Sequence, residues 1–375
     1  MKIQYYIGLD VHKESVSIAW AGPLGAPEYH GKCSSSNPAV EEALRKLARK
    51  LGVELKDLKV AYEAGPTGFV LARHLSGLGV DVTVAAPSKI ARAPGEKVKT
   101  DKRDSVKIAR LHRAGELVAV HLPAVDDEAI RDVCRARTDA SEDTRRAKQQ
   151  LKAFLLRNGY HYTGKANWGP VHLRWLRGLK MGGAAQTTVL EESIQAVDTA
   201  AARQTRMERH MERLLADWER KDEVADVMGL KGFQLVAAMT VVAELGDLGR
   251  FGHPRQLMGY LGLVPGEDST GNRRRQGGIT KCGNSHVRWM LVEAAHSYRL
   301  PAKVGSGLSD RQQGLSEAVQ QLSWRAQTRL CGKYQKLKAR RVHVNKVVTA
   351  VARELTSFLW ELHQLRSSGK PAAGF

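Results

Sequence analysis

The stretch Tyr5-Tyr6-Ile7-Gly8-Leu9-Asp10-Val11-His12-Lys13-Glu14-Ser15-Val16-Ser17-Ile18-Ala19-Trp20 decides the fold. Its two β-branched and aromatic runs, 5–9 and 15–20, flank a short polar turn and read as antiparallel neighbours, and residues 28–33 extend the meander. Asn37-Pro38 then opens a helix as cap and first position, followed by Val40, Leu44, Leu47 and Leu51 at helical spacing. Beyond it come a buried strand at 59–64, a helix at 67–78 closed by Gly79, a strand at 80–86 and a helix at 101–113. The order βββαβαβα predicts an α/β mixed sheet of the ribonuclease-H type.

That sheet gathers acids. Asp10 ends the first apolar run, Glu63 ends the next buried strand in Ala61-Tyr62-Glu63-Ala64-Gly65, and Thr100-Asp101-Lys102-Arg103-Asp104 opens a helix. Asp101 and Asp104, at i and i+3, share one helix face directed toward the sheet. Carboxylates are hard oxygen donors, and two divalent ions roughly 3.5–4 Å apart are an effective clamp on a phosphoryl group. Each acid alone reads as a solvated surface charge. Together, at strand ends and a helix start, they predict a metal site.

The rest of the chain is basic. Its 375 residues carry 59 Lys+Arg against 39 Asp+Glu, a formal net charge of +20, which favours phosphate polymers as partners. The length implies two or more packed units. Cys33, Cys134, Cys282 and Cys331 show neither disulfide nor zinc spacing, which predicts a reducing compartment. The start has no secretory pattern, and the best apolar run, 235–243, is far below the roughly 20 residues of a membrane span.

Residues 126–158 and 190–223 are charged and helical. Ile194, Val197, Ala201, Met211, Leu214 and Trp218 approximate a heptad seam that Gln204 and Glu208 interrupt, so a coiled-coil hairpin or dimer arm and an ordinary helix pair both fit. Residues 160–188 receive no assignment. Gly229-Leu230-Lys231-Gly232 before the apolar 235–245 resembles a helix-hairpin-helix turn, or simply a glycine turn before a core helix. Further on, Ser269 lies in a glycine loop beside Arg273, Arg274, Arg275 and Lys281, groups able to offset charge developing on a scissile phosphate. Serines in such loops more often make turns. Residues 318–353 contain no acid, and Arg340, Arg341 and Lys346 stand in what reads as a long positive face.

Five ordered blocks carry a resemblance: Gly8-Leu9-Asp10-Val11-His12-Lys13, Tyr62-Glu63-Ala64-Gly65-Pro66-Thr67-Gly68, Lys99-Thr100-Asp101-Lys102-Arg103-Asp104, Gly262-Leu263-Val264-Pro265 through Ser269-Thr270-Gly271, and Gly278-Ile279-Thr280-Lys281 with Gly283-Asn284. Over nearly its whole length the chain resembles family one-ten of the insertion-sequence DEDD transposases, which includes the Piv-type DNA invertases. The resemblance implies a RuvC-like catalytic domain at 1–120, a helical coiled-coil connector at 121–223 and a mainly helical transposase domain at 224–365, while the composition of 366–375 predicts a disordered tail. It implies Mg²⁺, with Mn²⁺ as a substitute, on Asp10, Glu63, Asp101 and Asp104, and a serine that links covalently to DNA.

It further implies a noncoding bridge RNA that pairs with donor and target double-stranded DNA, a homo-oligomer (dimer or tetramer), and a cytoplasmic, nucleoid-associated bacterial location. Many relatives have two serines before the loop glycine; here the second is Thr270, so Ser269 is the expected nucleophile and Thr270 the alternative. Ser105 replaces a common alanine, a change expected to be tolerated. Two other classes stay open: a RuvC-like nuclease in which water attacks, and a non-catalytic nucleic-acid-binding protein, against which the four acids argue.

Overall fold

The computed structural model describes residues 4–90, 100–270, 273 and 275–368. Chain contacts divide it into two units, 1–123 and 124–375.

In the first unit, β1 (Tyr5–Val11), β2 (Ser15–Ala21) and β3 (Glu28–Ser34) form the antiparallel meander, followed by α1 (Asn37–Leu51), β4 (Leu58–Glu63), α2 (Val70–Gly77), β5 (Asp81–Ala85) and α3 (Asp101–Arg113). The five-stranded sheet runs β3-β2-β1-β4-β5, with β4 and β5 parallel to β1. Strand alternation sorts its faces. Ile7, Leu9, Val16, Ile18, Leu58, Val60 and Tyr62 point to a core shared with Val40, Leu44 and Leu47 of α1 and Leu71 and Leu75 of α2. Tyr6, Ala19 and Ala21 point the other way, onto Val106 and Ala109 of α3.

Two local expectations shift. The cap of α1 is Ser36, whose extended backbone precedes the helix; Asn37 already lies inside, with Pro38 in the first turn. The expected helix at 67–78 begins only at Val70, because residues 66–69 form a turn whose Gly68 carbonyl accepts a hydrogen bond from the Tyr62 hydroxyl.

The second unit is mainly helical. It comprises α4 (Val125–Arg157), α5 (Pro170–Arg177), α6 (Ala184–Asp217), α7 (Lys221–Met228), α8 (Leu235–Leu245), α9 (Pro254–Tyr260), a hairpin of β6 (Pro265–Glu267) and β7 (Gln276–Ile279), α10 (Ser285–His296), α11 (Ser306–Gln312), α12 (Glu317–Ala339) and α13 (Val344–Ser368). The α4 and α6 helices pack antiparallel: Trp218 donates to Asp127 at one end, Arg137 pairs with Glu208 midway and Arg203 with Asp143 further along. Of the anticipated seam, Val197, Met211 and Trp218 are buried while Leu214 is exposed. Glu208 interrupts the seam by taking an arginine partner rather than an apolar one.

At their roots, Ile130, Cys134, Met211 and Trp218 join one core with α7 to α10, α12 and α13. The turn after α7 is committed to that packing: Leu230 is buried, and the Gly229 carbonyl accepts from Gln312 and Ser323. Helix α13 continues through Ser368, past the start of the expected tail; residues 369–375 lie outside the described chain. No helix among the described residues is long and apolar enough to cross a membrane.

Candidate active site

Asp10 stands on the α3 face of β1, because it alternates with Gly8 and Tyr6 rather than with Ile7 and Leu9. In the parallel pairing Leu9 lies opposite Tyr62, so Asp10 and Glu63 are the next residues along and turn to the same face. What lets α3 approach is Gly8. A Cβ there would stand 2.2 Å from the Ser105 carbonyl oxygen and 2.4 Å from the Ala109 nitrogen, both backbone atoms. The Thr100 hydroxyl caps α3 by accepting from the Arg103 amide, which sets Asp101 and Asp104 in the first turn, where the helix dipole favours negative charge. Ser105 is fully buried and donates to the Lys102 carbonyl, so the hydroxyl that replaces alanine has a partner.

The tightest cluster includes a residue to which the sequence pattern assigns no role. Ligand atoms of Asp10, His12 and Asp101 all lie within 4.8 Å of one another, with His12 Nε2 3.0 Å from Asp10 Oδ2 and 3.5 Å from Asp101 Oδ1. His12 is legible in principle, since i and i+2 on a strand share a face. Burial raises the Asp10 pKa above its ordinary value; His12 opposes this, and the charges of Asp104 and Asp101 add to it. Asp101 is held below its ordinary value, foremost by a hydrogen bond from Lys32 at 3.2 Å. Asp104 thus acts on Asp10 electrostatically, and Glu63 shares its register, but neither belongs to the tight cluster. His12 and Asp10 hydrogen-bond to each other, and with Asp101 they offer one nitrogen and two carboxylate donors close enough to share one cation. The donors present therefore fit a divalent metal.

Beside the cluster, Lys102, Arg103, Lys107 and Arg110 of α3 line an open cleft of about 720 Å³ with Glu28 and Tyr29 of β3. The Lys102 ammonium lies over the Tyr29 ring. A basic cleft next to an acidic cluster is chemically matched to a phosphodiester carried on metal.

In the second unit, Ser269 lies in the β6–β7 hairpin. Glu267 pairs with Gln276, the Asp268 amide donates to the Arg275 carbonyl, and Thr270 and Arg273 exchange two backbone bonds. The Ser269 hydroxyl donates to Glu267 Oε1 at 2.9 Å, while Gln276 donates to Glu267 Oε2 at 3.2 Å. Arg273, Arg275 and Lys281 are exposed; Arg274 lies outside the described residues.

The block that ends Gly283-Asn284 is architectural. Gly283 has φ +69°, and a Cβ would stand 1.8 Å from the Tyr260 carbonyl oxygen. Asn284 caps α10 through the Val287 amide and donates to the buried Glu244 at 2.7 Å. Glu244 in turn binds Arg135 through both oxygens, at 2.7 and 3.0 Å.

The expected positive face is shorter than its composition suggested. Arg325 pairs with Glu361, and Arg329 and Lys333 with Glu354, so α13 neutralises the middle of α12. Arg340, Arg341 and Lys346 remain exposed at the turn between the two helices.

Comparison with known proteins agrees with this architecture. The family described as "Transposase IS116/IS110/IS902 family" matches residues 225–305, and the DEDD domain of IS110 transposases matches residues 7–158. A putative transposase, y4qE, of Sinorhizobium fredii is 41% identical over 95% of this chain and 88% of its own length. The transposase of insertion sequence element IS1533 of Leptospira borgpetersenii is 28% identical over 91% of this chain and 99% of its own. A probable family 20 transposase of Pseudomonas aeruginosa is 23% identical over 78% and 83%. With a RuvC-like DEDD domain followed by a helical transposase domain, the chain belongs to the IS116/IS110/IS902 family of transposases, the enzymes that move insertion sequences by DNA strand transfer.

Proposed function

We propose that this transposase exchanges DNA strands through a covalent serine intermediate, with Asp10, Glu63, Asp101 and Asp104 as its Mg²⁺ or Mn²⁺ ligands and Ser269 as nucleophile. The observation that carries the nucleophile is the Ser269 hydroxyl donating at 2.9 Å to a carboxylate that Gln276 fixes from its other side. A hydroxyl, a base in hydrogen-bond reach and a group orienting that base are the parts nucleophilic catalysis needs. Metal on the acids would supply Lewis-acid stabilisation of charge on the phosphoryl oxygens. His12, adjoining Asp10 and Asp101, adds a nitrogen donor to that set.

Glu267 and water account for the protons. Ser269 Oγ passes its proton to Glu267 and bonds to phosphorus; the phosphorus–oxygen bond to the sugar breaks, and the leaving oxygen keeps the bonding pair and takes a proton from water. In rejoining, a sugar hydroxyl gives its proton to the hydroxide left by the first step and its oxygen bonds to the phosphorus of the phosphoserine; Oγ departs with the bonding pair and recovers the proton from Glu267. Arg273, Arg274, Arg275 and Lys281 offset charge on the phosphate, and Arg340, Arg341 and Lys346 contact backbone phosphates. A bridge RNA that pairs with donor and target DNA, a homo-oligomer that handles two duplexes, a coiled-coil role for α4 and α6, and a nucleoid-associated cytoplasmic location complete the reading.

The test is a trapped complex. Peptide mass spectrometry of wild-type protein with DNA and its flanking transcript is expected to find a nucleotide on Ser269, and Ser269→Ala to abolish adduct and strand exchange while DNA binding persists. A nucleotide on Thr270 moves the assignment by one residue. Cleavage with no adduct in wild type rejects the serine mechanism in favour of attack by water.

A further inference from the structure

The far end of the α4–α6 pair is a separate small structure. Leu151, Phe154 and Leu155 of α4, Leu176 of α5, and Leu190 and Val197 of α6 form a core of their own, ringed by Tyr160, Trp168, Leu173 and Trp175. His172 is buried at its centre. It accepts a hydrogen bond from the Trp168 amide at 3.1 Å, lies edge-on to Tyr162 and stacks on Trp175. Burial, then the charge of Lys152, holds its pKa below the ordinary value, so the ring serves as a neutral acceptor. Tyr160 ties the connection down by donating to the Lys180 carbonyl.

The stretch that builds most of this core carries one sign of charge. Residues 144–190 contain nine Lys+Arg and no Asp or Glu, where the chain's average would give about five acids. Arg145, Arg146 and Arg177 pair with acids outside the stretch, at Glu142, Asp143 and Asp198, and Lys148 lies over the Trp168 ring. Lys152, Arg157, Lys165, Arg174 and Lys180 are exposed and have no acidic partner among the described residues. Solvated charges on a basic protein are the ordinary reading. Against it stands the arrangement: helices of 33 and 34 residues, about 50 Å long at 1.5 Å per residue, end in a dedicated aromatic core around which α4, α5 and their connections place cations and no acid, the nearest acids in α6 being Glu191, Glu192 and Asp198. Self-repulsion among these cations is a cost that a polyanion relieves.

We propose that the end of this arm grips the phosphate backbone of a nucleic acid, independently of base sequence and of the acids and the serine. The shared chemistry is the phosphodiester, carried by DNA duplex or by RNA. Because this is a binding site, it stands or falls apart from the covalent mechanism.

The experiment uses the full chain and measures affinity against salt for a DNA duplex and for an RNA hairpin. The variant Lys152→Ala/Arg157→Ala/Lys165→Ala/Arg174→Ala should bind at least one of them about tenfold or more weakly at low salt. Its log–log salt slope should be shallower by about 0.7–0.9 for each phosphate it no longer neutralises. The charge-preserving exchange Lys152→Arg/Arg157→Lys/Lys165→Arg/Arg174→Lys should behave as wild type. Weakening with RNA alone or with DNA alone names the source. A photo-crosslinking residue at exposed Ala166 of the otherwise unaltered chain gives the second reading, independent of the folding of the alanine variant. Unchanged affinity and slope in the folded alanine variant, or no crosslink to either nucleic acid, overturns the proposal.

Discussion

Asp10 and Ser269 stand on opposite kinds of support. Asp10 sits on the central strand of a five-stranded sheet, paired on both sides and covered by α3; Ser269 sits in a hairpin whose strands have three and four residues, and it is exposed. Ligands on a central strand are held by the fold before anything binds. A small two-stranded ribbon has little independent stability, so Ser269 relies on the Glu267–Gln276 bonds and on whatever binds the loop. The difference assigns preorganisation to the acids and adaptability to the proposed nucleophile.

Removing a preorganised charge should give the largest effect. Asp10→Asn, Glu63→Gln, Asp101→Asn or Asp104→Asn is each expected to slow strand transfer by about 10²-fold or more, since metal stabilisation of transition-state charge is worth several kcal/mol. Tm should hold. If the Asp10 change has this effect and the Glu63 change is silent, the functional set shrinks toward the tight Asp10, His12 and Asp101 cluster. Wild-type rates in Asp10→Asn, or in chelator, would remove the metal from the comparison.

The next effect concerns the buried carboxylate that ties the cap of α10, just after the serine hairpin, to α4. Glu244 is fully buried. Burial raises its pKa, yet hydrogen bonds from Arg135 and Asn284 and the nearby charge of Arg131 outweigh burial and leave it below the ordinary value. Arg135→Ala removes the main partner of that carboxylate and should cost about 1–3 kcal/mol by denaturant unfolding, less than a fully buried broken pair because Arg135 is half exposed and Asn284 and Arg131 still face Glu244. A group whose folded pKa is depressed contributes stability above its unfolded value and loses it as pH falls through the folded one. Wild type should therefore lose stability below about pH 4 more steeply than Glu244→Gln. Equal acid profiles would show that Arg135, Asn284 and Arg131 do not hold Glu244 ionised.

Gly8→Ala probes the other support. The added carbon meets backbone, not a flexible side-chain end, so α3 must move, at an expected cost of about 1–3 kcal/mol. Unlike Arg135→Ala, it should also weaken Mn²⁺ binding measured by calorimetry, because α3 carries Asp101 and Asp104. Unchanged metal affinity would mean that the acids tolerate a displaced helix.

How far the sequence can be read follows from the same contrast. The meander and the order of strands and helices along the first unit are legible because alternation and helical spacing are local, and local patterns decide which face a strand residue such as Asp10 takes. The identity of the α1 cap is not, since Ser36 and Asn37 are both good cap residues and proline suits either first-turn position. His12 escapes notice because the residues after Asp10 read only as a connection between strands. The positive face is overestimated because Glu354 and Glu361 lie 25 and 36 residues from their partners, beyond any local window. Residues 160–188 resist assignment because their aromatics pack among themselves at the end of a helix pair, with no repeating period.

The smallest effect should come from the basic residues that α13 leaves unneutralised. Arg340 caps the end of α12, Arg341 follows it in the turn, and Lys346 lies in the first turn of α13, so all three project from the connection between the two helices without holding the core. Replacing them with alanine should leave Tm unchanged and weaken binding to DNA of any sequence. The salt slope should fall by about 0.7–0.9 for each phosphate left without its cation. The matching change at Arg325, Arg329 and Lys333 should do the reverse: little change in slope, but lower stability, because it leaves Glu354 and Glu361 without partners. If both triples shift the slope equally, charge alone governs binding and the pairing with α13 does not matter. If neither does, nucleic acid meets this protein elsewhere, and the α3 cleft and the end of the α4–α6 arm become the surfaces on which the same slope should be measured.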